Sequence, residues 1–283
     1  MLFIAGLLMA GPCLVSALAA APAAQRPEAS MLVLGSLTVD TDGHVVGHEL
    51  EDAGHLPAPV VDLIDRSVAR WRFQPVLRDG HAVRARSRMS LRVVAHPTGK
   101  DDYVLSIRGV HFGDGKDGDR ISMRAPTYPP EAIGARVSGT VYLAVEIDAH
   151  GQVADVAAEQ VNLRSRGNRW QMERYRKVLS QSAERAARGW QFRPLPAGQA
   201  PAMRYAVVPV NYTLRVFGGP RLPDGGPERW DVYMPGPMQA IPWFDATRMV
   251  SNLSGSLDAL PDGGVYMANP AGGLHLLSKL GGA

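Results

Sequence analysis

Hydrophobic and polar residues alternate in two stretches of the chain that share one order of features. Each stretch runs from an alternating segment through a Gly turn into a second alternating segment, a helical pattern and a Trp-x-Phe-x-Pro motif. The first reads Val-Asp-Thr-Asp-Gly-His-Val at 39–45 and Trp-Arg-Phe-Gln-Pro at 71–75. The second reads Ile-Asp-Ala-His-Gly-Gln-Val at 147–153 and Trp-Gln-Phe-Arg-Pro at 190–194. This internal similarity predicts two related structural units.

The first unit is predicted over residues 30–96. Asp42-Gly43 indicates a hairpin turn, because Gly adopts the positive φ that a tight turn needs. Apolar residues recur at three- and four-residue spacing from Val60 to Trp71, which predicts a helix with one buried face. A long strand is expected from Val83 onward.

The second unit is predicted over residues 126–217. Alternation indicates strands at 140–148 and 153–161, followed by an amphipathic helix at 170–189 and a strand from Met203 onward. The intervening residues 97–125 are rich in Gly and Asp, and we expect a linker there with one short strand.

The two ends of the chain differ from these units in composition. Residues 1–24 are apolar and uncharged, and Ala17-Leu18-Ala19 fits signal-peptide cleavage, so we expect either a signal peptide or a membrane anchor. Either one places the rest of the chain outside the cytoplasm. Residues 218–283 form a Gly- and Pro-rich tail, for which irregular structure and docking of its aromatic residues are both open.

Composition excludes several functional classes. The net charge is +3 and no long block of like charge occurs, so we expect no nucleic-acid partner. The sequence contains no nucleophile elbow, phosphate-binding loop or metalloprotease motif, and its His residues are dispersed. We therefore expect no enzymatic activity, no cofactor and no metal site.

Four motifs in the second unit occur in the order seen in one known family. They are Tyr128-Pro129, Gly139-Thr-Val, Ile147-Asp148-x-x-Gly151-x-Val153 and Trp190-x-Phe192-x-Pro194. Together they resemble the C-terminal domain of TonB, the energy transducer of Gram-negative envelopes. The resemblance implies an α+β fold, in which each unit is a three-stranded antiparallel sheet with helices on one face. The first unit resembles a degenerate second copy.

The motif residues are interpreted mainly as structural. The Trp and Phe side chains are expected to seal helix against sheet, and each Pro marks an edge or the end of a strand. This group comprises Tyr128, Pro129, Gly139, Asp148, Gly151, Trp190, Phe192, Pro194, Trp71, Phe73 and Pro75.

The resemblance implies that function resides in an exposed sheet edge. TonB binds the TonB box, a short peptide of an outer-membrane receptor, as an added strand. Carried over by position, the partner-binding surface is the last strand and the adjacent turn. Its residues are Ile133, Arg136, Ser138, Arg204, Tyr205, Val207, Asn211 and Tyr212.

Two hypotheses remain open for the partner. The first is a TonB-like transducer in the periplasm that engages receptor peptides and inner-membrane motor proteins. The second is a soluble periplasmic scaffold whose edge serves another partner or the chain's own tail. The apolar N-terminus lacks the Ser-x-x-x-His motif with which the family couples to its motor, which bears against energy transduction. Exposed edges also leave a homodimer open.

Overall fold

The computed structural model describes residues 27–100, 102–115, 120–194, 203–214, 229–245, 252–268 and 273–280. The architecture is mixed α+β with antiparallel sheets and few helices. The predicted signal peptide or anchor at 1–24 lies outside the described residues. Within the described residues, no helix is both long and apolar enough to span a bilayer.

The first unit is built around a long central strand with a helix against one face. The alternation of buried and open positions along β1 places its apolar side chains on the helix-facing side. In chain order the elements are β1 (Glu28–Val39), β2 (Val45–Leu50), α1 (Ala58–Val68), β3 (Val76–Arg78), β4 (His81–Val83), β5 (Ala85–Pro97) and β6 (Tyr103–Phe112). β1 lies between β2 and β5, and β6 pairs with the far side of β5.

The second unit has the same succession of two hairpin strands, helix and return strand. In chain order its elements are β7 (Arg120–Ser122), α2 (Pro130–Gly134), β8 (Gly139–Asp148), β9 (Val153–Leu163), α3 (Arg169–Ala187), β10 (Gln191–Phe192) and β11 (Met203–Tyr212). β8 lies between β9 and β11. Asn168 begins α3 with a capping box that it forms with Gln171.

The described parts of the tail form strands that pair with the edges of both sheets. These are β12 (Trp230–Tyr233), β13 (Leu253–Gly255) and β14 (Tyr266–Met267). They pair with β1, β6 and β11 respectively. A further tail segment, 273–280, crosses the first unit, where the N–H of Gln74 donates to the carbonyl of His275 at 2.9 Å.

These pairings correct two expectations and decide between the two alternatives that were open for the tail. The sheets contain six and four strands among the described residues rather than three each, because the tail and β6 add to them. The predicted linker at 97–125 contributes a full strand of the first sheet through β6. The tail is packed rather than irregular where it is described, since its apolar side chains close a third core against Tyr142, Ala144 and Val207.

One backbone contact occurs in both units. Gly43 and Gly151 have φ of 84° and 80°, the left-handed conformation in which a Cβ is unfavourable. A Cβ on Gly43 would lie 2.1 Å from the carbonyl oxygen of Phe73, and one on Gly151 would lie 2.0 Å from that of Phe192. The Phe73 and Phe192 N–H groups donate to the two glycine carbonyls at 2.9 and 2.8 Å. Each Trp-x-Phe-x-Pro motif is therefore fixed to its hairpin turn.

The tryptophans of the two motifs are buried beside these contacts. Trp71 and Trp190 are 1% and 2% exposed and lie in the cores of the two units. Each indole N–H donates to a carbonyl from a distant segment, Leu280 for Trp71 at 3.2 Å and Arg124 for Trp190 at 2.9 Å. A buried indole needs such an acceptor, so these segments complete the two cores.

Replacing Gly151 by Ala tests the turn contact. We expect a loss of at least about 2 kcal/mol in the free energy of unfolding, since the left-handed strain and the clash with Phe192 add together. Gly134→Ala is the matched control, because a Cβ there meets nothing within 4 Å and Ala favours the helix. Urea unfolding of both variants measures the difference, and equal stabilities would contradict the role assigned to Gly151.

Candidate functional site: the outer edge of β11

The predicted partner-binding strand is β11, which lies between β8 and the tail strand β14. β11 pairs with β8 over its whole length, from Met203 opposite Asp148 to Tyr212 opposite Gly139. On its other side, within the described residues, it pairs with Tyr266 and Met267 of β14. The outer edge of β11 is therefore occupied in part by the chain's own tail.

Odd-numbered residues of β11 direct their backbone groups to the outer edge. The carbonyl of Tyr205 accepts the N–H of Ala268 at 2.7 Å, and that of Pro209 accepts from Gly263 at 3.5 Å. Because backbone groups alternate in direction along a strand, Val207 and Asn211 face the same way. The outer edge therefore offers a ladder of hydrogen bonds, part of which the tail uses.

Pro209 interrupts the donors of this ladder. Its nitrogen carries no hydrogen. The backbone groups at this position point outward, so a proline here costs no hydrogen bond to β8. An added strand can therefore form a continuous ladder only along the first half of β11, around Tyr205 and Val207.

Two of the predicted binding side chains point into the core of the second unit. Tyr212 is 2% exposed, donates its hydroxyl proton to the carbonyl of Leu179 at 3.2 Å and packs edge-on against Tyr128. Arg204 is buried and donates to the carbonyl of Arg193 at 2.6 Å. The prediction that these side chains contact a partner is wrong, since even-numbered side chains of β11 face α3.

The other predicted side chains of β11, which stand at odd-numbered positions, face the tail. Val207 is fully buried in the core that the tail forms. Tyr205 stacks on Trp243 with ring centres 6.2 Å apart, and its hydrogen bond with Glu146 raises the pKa of its phenol. Asn211 bonds the carboxylate of Asp262. The tail therefore covers this face of the strand as well as its edge.

The predicted turn beside the strand contains an arginine in the left-handed backbone conformation. Arg136, with φ of 51°, follows α2 at the position where helices usually place Gly. Its carbonyl accepts from the Ser165 hydroxyl at 3.2 Å, and the N–H of Ser138 donates to the same hydroxyl oxygen at 3.1 Å. Ile133 is 48% exposed. The turn is accessible, and among the described residues no direct hydrogen bond joins it to the outer edge of β11.

Sequence reasoning did not identify the residues that hold the tail in place. Asp231 forms an ion pair with Arg164 at 2.6 Å, and the carbonyl of Asp258 accepts from Arg92 at 2.7 Å. Tyr266 packs edge-on against His111, 4.8 Å between ring centres. The apolar run at 265–267 is a short strand signal, but a Gly-rich context obscured it.

Two buried titratable groups lie where the tail meets the sheets. His111, on β6 beside β13, is 2% exposed and is hydrogen-bonded to Asn252 at 3.0 Å, and burial lowers its pKa to about 4. Glu159, whose carbonyl accepts the N–H of Gln239 at 2.8 Å, is 6% exposed, and burial raises its pKa to about 7. Within the described residues no cluster of His, Cys, Asp and Glu could hold a metal ion.

The two groups give opposite pH dependence. Below its ordinary pKa of 6.5, His111 takes up a proton only when unfolded, so acidification toward pH 4 destabilises the fold. Glu159 binds its proton more tightly in the fold than in the unfolded chain, where its pKa has the ordinary value of 4.5. Acidification from pH 7 to 4.5 therefore stabilises the fold. Each contribution is on the order of 3 kcal/mol.

Single variants separate these contributions. With His111→Gln, we expect the free energy of unfolding to rise on acidification from pH 7 to 4.5 relative to the wild type, because His111 no longer offsets the Glu159 contribution. With Glu159→Gln, it should fall over the same range. Urea unfolding at several pH values measures both slopes, and parallel profiles of the two variants would contradict the assignment.

Comparison with known proteins finds two curated relatives, both named Protein TonB, from two strains of Xanthomonas campestris pv. campestris. Each is 37% identical over 93 residues, which is 33% of this chain and 36% of the relative. The chain thus spans about a third of the length of the curated relatives it matches. No protein-family model matches, and no solved structure matches. These matches, with the mixed α+β architecture, support the presence of a TonB-like domain in the chain.

Proposed function

We propose that this chain is a TonB-like protein of the bacterial envelope, whose second unit binds an extended receptor peptide as an added strand on β11. One observation carries the proposal: the outer edge of β11 already accepts an extended segment, β14, through backbone hydrogen bonds. A strand edge that pairs with one short extended segment has the geometry to pair with an extended peptide instead. Similarity to TonB supplies the class of partner and the periplasmic location.

The contrast between the two units favours the second as the binding unit. The corresponding return strand of the first unit, β5, is paired by β6 from Met89 to Pro97. Where the tail is described, β14 pairs with β11 at two positions. Displacing β6 would break a hairpin of the first core, whereas displacing β14 breaks few backbone hydrogen bonds. The peptide-binding role therefore belongs to β11.

We also propose that the two units are copies of one ancestral domain. Their shared strand order and the twin contacts of Gly43 with Phe73 and Gly151 with Phe192 support this. In the first copy, β6 pairs with the edge that would otherwise be free. This copy also provides the sheet against which the tail packs. Coupling to inner-membrane motor proteins remains part of the proposal at the level of the family.

A peptide must compete with the tail for this edge. Val265 and Tyr266 are each 4% exposed, and burial of such side chains contributes about 1.5–3 kcal/mol each. The tail strand is therefore a substantial competitor, and binding in the intact chain is weaker than the open edge would allow. This same closure supports a second function, a non-transducing scaffold whose edge is filled permanently by its own tail.

Ala268→Pro tests the competition, because it removes the N–H that bonds the carbonyl of Tyr205. We expect the variant to bind a synthetic TonB-box peptide about tenfold more tightly than the wild type, which corresponds to about 1.4 kcal/mol. Isothermal titration calorimetry measures both affinities. Ala268→Ser, which keeps the N–H, is the matched control and should bind as the wild type does.

The outcome separates the two functions. Tighter binding by Ala268→Pro alone supports the peptide-binding role. If neither the wild type nor this variant binds the peptide at millimolar concentration, strand addition is wrong and the scaffold is favoured.

A further inference from the structure

The outer face of α3 carries a stripe of exposed residues, four of them basic, that the edge of β11 does not use. Its members recur at three- and four-residue spacing, which places them on one side of the helix. All are exposed: Trp170, Arg174, Lys177, Gln181, Arg185 and Arg188. Between the first and the last, the stripe runs about 27 Å along the helix axis.

Acidic residues near this stripe are already paired. Glu173 bonds Arg169 at 2.9 Å, and Glu131 of α2 bonds Arg174. Lys177, Arg185 and Arg188 form no ion pair within the described part of the chain. Three cations without an ion-pair partner therefore lie along one face of a chain whose net charge is only +3.

The helix of the first unit provides a contrast. The exposed charges of α1 and the residues that follow it are Asp62, Asp65, Arg66 and Arg70, which balance one another. Two helices in the same position on their sheets thus differ in surface charge. The basic stripe is therefore a feature of α3 and is not required by the fold.

One end of the stripe is apolar as well as basic. Trp170 is 64% exposed, and the Arg174 guanidinium lies over its ring, 5.4 Å from the centroid. Ile133, on α2 beside the Arg174–Glu131 pair, is 48% exposed. An exposed tryptophan next to cations matches the composition of segments that lie at a membrane surface, where the indole enters the headgroup region.

We infer that the outer face of α3 binds the surface of an anionic phospholipid bilayer. The helix face is convex, so it offers no groove in which a peptide or small ligand could be buried. A bilayer instead presents a plane of phosphates that all the cations of the stripe reach at once. Each Lys or Arg close to such a surface strengthens binding about fivefold. The inference is independent of strand addition, because no residue of the stripe belongs to β11 or to the tail.

Vesicle flotation of the full chain tests the inference. Vesicles of phosphatidylcholine with about one third phosphatidylglycerol carry the negative surface, and pure phosphatidylcholine vesicles give the baseline for uncharged lipid. We expect binding to the anionic vesicles above this baseline. Raising the salt from about 0.05 M to about 0.5 M should remove the excess, since the Debye length shortens.

Charge reversal locates the binding face. The triple variant Lys177→Glu, Arg185→Glu and Arg188→Glu should lower the partition onto anionic vesicles by at least about 100-fold. The control triple Arg66→Glu, Arg70→Glu and Arg78→Glu changes the net charge equally at exposed positions of the first unit. It should retain most of the binding. Thermal melting of both triples verifies that they fold.

Trp170→Phe provides a second measurement that does not depend on charge. The blue shift of tryptophan emission on adding anionic vesicles should be lost in this variant, because Trp170 is the most exposed of the described indoles. Three results would overturn the inference: no binding by the wild type above the baseline, equal losses in the two triples, or tighter binding to a DNA duplex than to the vesicles at the same salt.

Discussion

The structure depends on satisfying the backbone groups at the edges of its two sheets. An unpaired edge leaves N–H and C=O groups open to other chains. The tail meets this constraint in three places, with β12 on β1, β13 on β6 and β14 on β11. The side chains that come with these strands then fill a third core between the sheets, which includes Phe244 and Leu257. Edge pairing and core formation are thus achieved by the same residues.

The same constraint decides where a partner can act. An edge closed by a long hairpin, as β5 is by β6, is part of the fold. At β11, two residues of β14 pair with the edge within the described residues. An external strand there has fewer backbone hydrogen bonds to displace than at β5. Under the proposed function the partner at this edge is a receptor peptide, and Pro209 confines the continuous ladder to the half of β11 around Val207. The outer face of α3 is a separate surface with different chemistry.

Local patterns in the sequence predicted the scaffold well. Gly151, Trp190 and Phe192 occupy the turn and core positions expected of them, because tight turns and buried aromatic residues leave strong local signals. The strand β11 was also located. The sequence pattern does not determine which side chains of β11 face the core. Arg204 and Tyr212 are therefore predicted at the surface, although they face the core.

Long-range pairing could not be predicted in the same way. β14 is two residues long, and nothing in Tyr266-Met267 itself specifies Val207 and Ala206 as partners. The carbonyl of Leu280 that accepts from Trp71 is equally unmarked in the sequence. Such contacts depend on which edges remain open after the two units have formed. They are properties of the assembled fold and carry no local pattern.

Amide hydrogen exchange at Ala268 tests the central claim most directly, because its N–H joins the tail to β11. In the free chain we predict that this amide is protected, though less than the amides of β8. With saturating TonB-box peptide it should exchange faster, while the amide of Val207 stays protected by the new strand. Protection of Ala268 that is unchanged by bound peptide would contradict the displacement of the tail.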